Sequence, residues 1–598
     1  MFPFRGGLIL GFFMLNITKA VLLLLLSFLT GSTLLQAQQK VSPLYAQTSE
    51  VNDLMVKYYA DLESTGKFYF VVNSPERREK LRDIINIYLT QLQQLPFDQF
   101  NTGTRVDYIL FGRDLREQLH SLDLEESEYR QARQWIPFAD SIYLIERSRR
   151  RGTAPDAAGL ASELNNISKW LIREKHNAQD AKAISPAVCR RAEGTVNGLK
   201  DALKSVYEFY NGYDPLFTWW VPQPYKKLDS LLEDYAALFR DKNKVAASAR
   251  KDGSPAKDDS SGIKGNPIGR EELIRRLRYQ MIPYSPEELV DIANKEFAWC
   301  DREMLKASHE MGLGDDWKAA LEKVKNTYVS PAQQPEAIMK LYDESISFLK
   351  QHDLLTIPPM AEETWRMIMM TPERQLVNPF FTGGDELSVS YPTNTMSQDD
   401  KLMSMRGNNP HFSRATVHHE LIAGHNMQQF MTSRYKTYRH FETPFWIEGW
   451  ALYWELLLWD MKFPQSPEDR VGMLFWRMHR CARIIFSLNY HLGRWTPQQC
   501  IDFLVDRVGH ERANAEGEVR RSFVGGYDPL YQIAYMIGGL QFYQLKKELV
   551  DSGKMTYRQY HDAILRENMM PVEMVRAILT DRPPQKEFSA SWRFYKLP

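Results

Sequence analysis

The chain is 598 residues long, enough for one large fold or a few domains. Its 43% hydrophobic and 25% charged residues are ordinary for a globular protein. Lysine plus arginine total 75, as do aspartate plus glutamate, so the composition carries no nucleic-acid footprint and no sign of a strongly charged partner, although a local charged cleft stays open.

The first forty residues read as an export signal. Lys19 precedes the apolar run from Ala20 to Leu26, and the segment closes near Leu35-Gln36-Ala37. Cleavage is expected after Ala37, giving a periplasmic or secreted protein. An uncut membrane anchor is the alternative, since Met1 to Met14 adds a second apolar stretch; a start at Met14 would give a more usual signal length. No later stretch reaches the roughly 20 apolar residues that a membrane crossing needs, and no cysteine at the cleavage point suggests a lipid anchor. Loss of residues 1–37 removes Arg5 and Lys19 and no acid, leaving a net charge of −2. Cys189, Cys300, Cys481 and Cys500 are too sparse for a disulfide scaffold or a metal knot, so buried free thiols are expected.

From about Val51 to Leu238 the chain reads as long helices. Charged and apolar residues interleave at helical spacing over Leu110–Leu122 and Leu160–Ile172, and Pro155, Pro186, Pro215 and Pro222 mark breaks or starts. Residues 250–267 are rich in Gly, Ser, Lys and Asp and read as a linker or surface loop between an N-terminal helical region (38–249) and a helical catalytic region (268–598). Ser285-Pro286-Glu287-Glu288 and Thr496-Pro497-Gln498-Gln499 are helix starts. Leu387, Val389 and Tyr391 alternate with small or charged residues, so Glu386–Tyr391 is expected to be a strand.

His418-His419-Glu420-Leu421-Ile422-Ala423-Gly424-His425 carries the most chemistry. Histidine donates a neutral nitrogen to zinc, and an adjacent glutamate can deprotonate a coordinated water. The familiar signature has histidines at i and i+4; here the second comes at i+6 from His419. On an ideal helix those rings would stand roughly 120° and about 9 Å apart, so the backbone must deform, and Gly424 is the residue that permits it. A wide turn or bulge before His425 is the expected device. His418 with His425 is the lesser pairing. Glu448, 23 residues beyond His425, is the preferred third ligand, and Glu455, seven further on the same helix face, is expected to orient a histidine. Both acids lie in an apolar helix and need a cation or hydrogen-bond partners.

These segments resemble the large bacterial family known only as domain of unknown function number eight hundred and eighty-five. The family's His-Glu-x-x-Pro-Gly-His matches His419–His425, and its Glu-Gly-Trp-Ala-Leu-Tyr matches Glu448–Tyr453. Arg483 and His491 occupy the family's arginine and histidine places, Ala534–Gly538 its Ala-Tyr-x-x-Gly helix, and Tyr560-His561-Asp562 with Pro571 its closing helix. Members look like relatives of helical zinc peptidases such as the thermostable carboxypeptidases and the oligopeptidases. The resemblance therefore implies a mainly α, zincin-like metallopeptidase fold with a small β element near the active site. It departs at Ala423, which replaces the family's proline, at Asn426, which replaces a histidine, and at Ser487-Leu488-Asn489, which replaces Asp-Thr-Gly. None of these changes removes a proposed ligand or the base.

The expected activity is peptide hydrolysis at zinc held by His419, His425 and Glu448. Glu420 acts as base, and Tyr535 or His491 donates to the developing oxyanion. Arg406, Tyr391 and Arg483 are expected to bind substrate, and His561 to stand behind the site with Glu455. Glu386–Tyr391 is expected to pair with an extended peptide. Other function classes stay open: a noncatalytic periplasmic binding protein, or a metal-dependent amidase acting on non-peptide substrates. Oligomeric state is not legible.

Overall fold

Several helix starts share one chemical pattern, a small oxygen-bearing cap followed by proline. Ser74, Ser185 and Ser285 each accept a backbone N–H at the start of the helices Pro75–Gln93, Pro186–Tyr210 and Pro286–Glu310, and Ser285 with Glu288 forms a reciprocal capping box. Thr496 and Gln499 form another at Pro497–Phe503. Both starts expected from sequence are therefore present. The stretches Leu110–Leu122 and Leu160–Ile172 lie within helices Thr102–Ala132 and Ala157–Asp180.

The computed structural model describes residues 49–181, 184–246, 259–375 and 380–597. The expected signal segment 1–37 and residues 250–258 of the expected linker lie outside the described residues. Backbone contacts divide the chain into Met1–Asp53, whose described part opens the Glu50–Phe68 helix, and Leu54–Pro598. Within the second unit, helices Ala157–Asp180, Pro186–Tyr210 and Pro222–Ala246 pack around Leu164, Leu171, Val196, Leu199, Tyr235 and Phe239. Among the described residues no helix is long and apolar enough to cross a membrane. All four cysteines are buried and unbridged.

The fold is predominantly helical with one small β element. Strands β1 (Arg366–Met369) and β2 (Glu386–Val389) pair in parallel, with Arg366 opposite Glu386 and Met369 opposite Val389. On its other side β2 meets Thr382 through an antiparallel bridge in which Ser388 both gives and accepts a backbone hydrogen bond. The strand expected over Glu386–Tyr391 thus stops at Val389. Tyr391 lies beyond it, before Pro392, and its N–H donates to Gln375 Oε1 at 2.8 Å. Because β2 has neighbours on both sides, it is not the open edge that pairing with a substrate would require.

Two helices position the site. Pro444–Asp460 is apolar on nearly every side and is buried almost throughout, as a helix without a polar face must be. It packs closely on Tyr531–Lys546. The approach depends on facing glycines: a Cβ on Gly538 would lie 2.1 Å from Phe445 O, and one on Gly449 would lie 2.6 Å from the Gly538 carbonyl carbon. Backbone cannot yield as a side-chain tip can, so Gly538→Ala is expected to force the helices apart. Overpacking of this kind costs about 1–3 kcal/mol, to be read as a lowered urea midpoint; an unchanged midpoint would show that the close contact is not required.

Candidate metal centre

Asn409 accepts backbone N–H groups from His411 and Phe412, Pro410 follows, and the first histidine-bearing helix runs Pro410–Glu420. It ends there. Leu421 leaves helical geometry, and a new helix, His425–Thr432, begins after Gly424. The expected bulge in one helix is instead a break between two. Gly424 has φ −84°, so its role is not left-handed backbone. A Cβ there would lie 1.8 Å from His419 O, and only glycine permits so close a crossing. Trp450 Nε1 donates to Ala423 O at 2.8 Å and ties the crossing to the Pro444–Asp460 helix.

The break brings the two imidazoles together. The ring centroids of His419 and His425 are 4.9 Å apart, nearly perpendicular. Glu448 Oε2 lies 3.7 Å from His419 Nε2 and 3.3 Å from His425 Nε2. One ligand atom from each residue falls within 4.8 Å of the others, a set that can hold a metal ion. His418, the lesser candidate, faces Phe463 and is not in this group; neither of its ring nitrogens has a hydrogen-bond partner.

The outer atoms of each ligand are held. His419 Nδ1 meets Glu455 Oε1 at 2.7 Å, and Arg480 Nη2 reaches the same oxygen at 3.2 Å. His425 Nδ1 meets Gln428 Oε1 at 3.0 Å. Gln428 Nε2 donates to Trp446 O and Ile447 O, so its oxygen is the end that faces the ring. Both Nδ1 atoms therefore act as donors, so each Nε2 faces the cluster and offers it a lone pair once deprotonated. Tyr531 Oη donates to Glu448 Oε1. Glu448 Oε2 is buried without a hydrogen-bond partner. Two inward imidazole nitrogens and an orphaned carboxylate oxygen form a donor set able to coordinate a metal ion.

Charge within the cluster is strongly coupled. Burial opposes protonation of His425, but the Glu448 carboxylate outweighs it and holds the imidazole up at about 9. Burial likewise works against the Glu448 carboxylate, yet His425 and His419 bring it well below the usual range. Glu455 follows the same logic, lowered against burial by Arg480 and His419. Without an ion, a proton on His425 serves as the neutralising cation.

Other expected residues fall into two groups. Glu420 stands beside the cluster at the end of its helix, with Oε2 accepting the Gly383 N–H. Tyr535 lies with its ring nearly parallel to His419 at 6.2 Å, and burial together with Glu448 pushes its hydroxyl up to about 12, so it is a donor at neutral pH. Arg483, expected to bind substrate, lies beneath Tyr535 at 4.3 Å and pairs with Glu518 at 2.7 Å. Arg406 has all three guanidinium nitrogens engaged by Glu511, Asn326 and Glu322. His491 packs among Tyr490 and Phe523, and burial, with Arg276 nearby, brings its imidazole down to about 4. His561 Nδ1 donates to Leu354 O at 2.6 Å and its Nε2 meets Tyr453 Oη at 2.8 Å, so it steadies the Pro444–Asp460 helix from behind. Neither His491 nor His561 touches the three clustered residues.

Tyr531, Gln428, Arg480 and Gly383 escaped the reading of the sequence. Tyr531 had one signal: it precedes Tyr535 by a helical turn and shares its face. Gln428 stands three residues past His425, but only the second helix gives that spacing meaning. Through Glu455, Arg480 acts on His419. Glu455→Gln is expected to weaken metal affinity about 10–100-fold, measured by competition with a chromophoric chelator. Unchanged affinity would remove Glu455 from this role.

A predominantly helical protein with a buried His–His–Glu cluster at a helix break is the class that fold and site define. The chain belongs to the family described as "Bacterial protein of unknown function (DUF885)", whose model matches residues 70–579. It is similar in fold to "a putative lipoprotein of unknown function from Shewanella oneidensis", with 16% identity, a TM-score of 0.63, and coverage of 89% of this chain and 100% of the other. It is also similar to "the putative lipoprotein from Colwellia psychrerythraea", with 14% identity, a TM-score of 0.54, and coverage of 89% and 98%. No curated protein matches it.

Proposed function

We propose that this chain is an exported, zinc-dependent hydrolase of amide bonds, with a zincin-like arrangement of His419, His425 and Glu448 around the ion. The observation that carries the reading is Glu448 Oε2, buried without a hydrogen-bond partner and facing two imidazole nitrogens. A bound divalent ion supplies Lewis acidity, lowering the pKa of water and polarising a carbonyl. Glu420 accepts Gly383 N–H with Oε2, while Oε1 has no partner among the described residues and would take a proton from water and return it to the departing amine. Tyr535 keeps its proton and can donate to the developing oxyanion. Glu455 and Gln428 hold the imidazole rings in register.

Peptides are the first substrates to test, with non-peptide amides beside them, since β2 lacks the free edge that would favour an extended peptide. The export signal read from the first 37 residues supports a periplasmic or secreted location, and so do the two neighbours described as lipoproteins. A second reading, a noncatalytic binding protein, is favoured by the engagement of Glu420 with Gly383 and by neighbours whose descriptions name no activity. Elemental analysis of the native protein followed by a chelator-controlled screen of peptide and N-acyl amide libraries separates the readings. Stoichiometric zinc with chelator-sensitive hydrolysis is expected. A metal-free native protein overturns the metal reading, and a zinc-loaded protein without hydrolysis selects the binding protein.

A further inference from the structure

Beside the metal cluster lies a layer of buried arginines whose hydrogen-bonding capacity is not filled. Helix Pro467–His491 supplies Arg480 and Arg483, and helix Arg512–Val524 supplies Arg521. The charges of all three bear on the Tyr535 hydroxyl, and the guanidiniums of Arg480 and Arg483 lie 4.7 and 4.3 Å from its ring. Arg480 Nε, Arg483 Nη1 and Arg521 Nε are buried without a hydrogen-bond partner. An ionised donor left unpaired in the interior costs more than a neutral one, so such a set calls for an acceptor. Arg521 is the least engaged. Its nearest acid is Glu518, 3.6 Å from Nε, and Glu518 already accepts from Arg483 Nε at 2.7 Å. Neither Nη atom of Arg521 makes a hydrogen bond among the described residues, and the side chain keeps 14% exposure.

The position of Arg521 connects it with the reaction. Its guanidinium lies 5.1 Å from the ring of Tyr527, which is 40% exposed. Tyr527, Tyr531 and Tyr535 follow at four-residue spacing, with ring centroids 4.6 and 5.7 Å apart. They form a wall that leads from solvent to His419, beside Tyr535, and to Glu448, which accepts from Tyr531. Charge along that wall favours an anion. Three guanidiniums face two carboxylates, Glu455 and Glu518. Burial keeps His479 and His510 neutral, and Arg276 and Asp528 at the rim pair with each other. Glu448 and Glu420 match the two charges of a divalent ion, so the loaded site is one negative charge short. We propose that Arg521, backed by Arg483, receives a carboxylate of the substrate and so selects amides that stand beside an acidic group. The inference rests on the hydrolase reading of the metal centre and names its substrate class. A guanidinium with two free terminal nitrogens offers the parallel donors that a carboxylate takes in pairs. That carboxylate is either the free end of a peptide or an acidic side chain.

The test is titration calorimetry of the full chain carrying Glu420→Gln, which suppresses turnover, with acetyl-Ala-Leu, acetyl-Ala-Leu-amide and acetyl-Ala-Glu-amide. A carboxylate-bearing probe is expected to bind at least about tenfold more tightly than acetyl-Ala-Leu-amide. Preference for acetyl-Ala-Leu assigns the subsite to a chain terminus, and preference for acetyl-Ala-Glu-amide assigns it to an acidic side chain. Adding Arg521→Gln should bring the acidic probe down to the affinity of the amide-capped one. Arg521→Lys, which keeps the charge but not the paired donors, should restore part of the difference. A general loosening of the site would weaken acid and amide alike, so the ratio is the readout. Equal binding of acid and amide before Arg521 is changed overturns the proposal, and so does a preference that survives both Arg521→Gln and Arg521→Lys undiminished. Because the readout is binding, the two readings separate. Hydrolysis without an acid preference overturns the subsite alone; a preference that depends on Arg521 in a protein without hydrolysis upholds the subsite and overturns the hydrolase.

Discussion

Glu420→Gln is expected to leave the bound zinc in place and to lower amide hydrolysis by about 10²–10⁴-fold, the usual contribution of a positioned general base. Glutamine preserves the shape of the side chain and can still accept the Gly383 N–H through its carbonyl, so the loop contact at Thr382–Gly384 should survive. What disappears is a site able to take a proton. Glu420 is not among the three clustered residues, so metal stoichiometry should not change. The result is read as kcat and kcat/KM falling together with zinc content constant. Equal hydrolysis by the variant would reject Glu420 as the base while leaving the metal centre standing.

Glu448→Ala should have the larger effect on the metal itself. It removes the one carboxylate of the cluster and leaves two imidazoles with no anion between them. The buried acid also sets the protonation of His425, which its charge holds at about 9. The sign of the pH dependence follows. In the wild type at pH 7, His425 carries a proton that an incoming ion must displace, so zinc binding releases about one proton and tightens about tenfold per pH unit up to about 9. In Glu448→Ala the main support is gone, only Glu420 and Gln428 remain to oppose burial at His425, and proton release near neutrality should shrink along with most of the affinity. Isothermal titration in buffers of different ionisation enthalpy measures both quantities. Zinc bound by the variant as tightly as by the wild type would remove Glu448 from the ligand set.

Much of the outline was readable along the chain because it rests on local chemistry. Serine or threonine before proline starts a helix at Ser285 and at Thr496, since the cap satisfies amides that the first turn leaves open. The histidines and glutamates were readable as candidates because they sit in apolar surroundings where an unpaired acid is costly. Geometry at i+6 showed that the backbone had to give way, but spacing alone favoured a bulge. The observed break is decided by the close crossing of Gly424 over His419 O and by Trp450, 27 residues away, holding Ala423.

The surroundings of the arginines and of the outlying histidines were not readable along the chain for a related reason. Arg406 and Arg483 look alike in sequence, free cations near a motif, yet Glu511, Glu322 and Glu518 claim them from distant helices. His491 and His561 likewise take their surroundings from elements that no local pattern announces. By itself, the amino-acid sequence determined the mainly helical character, the helix starts at Ser285 and Thr496, and which three side chains are suited to a metal. Only tertiary structure decided that those three meet, that Tyr531 and Glu455 hold them, and that Gly449 and Gly538 let two helices close upon the site. Capping and periodicity act over a few residues, whereas ligand convergence and ion pairing depend on contacts between segments that the chain brings together only on folding.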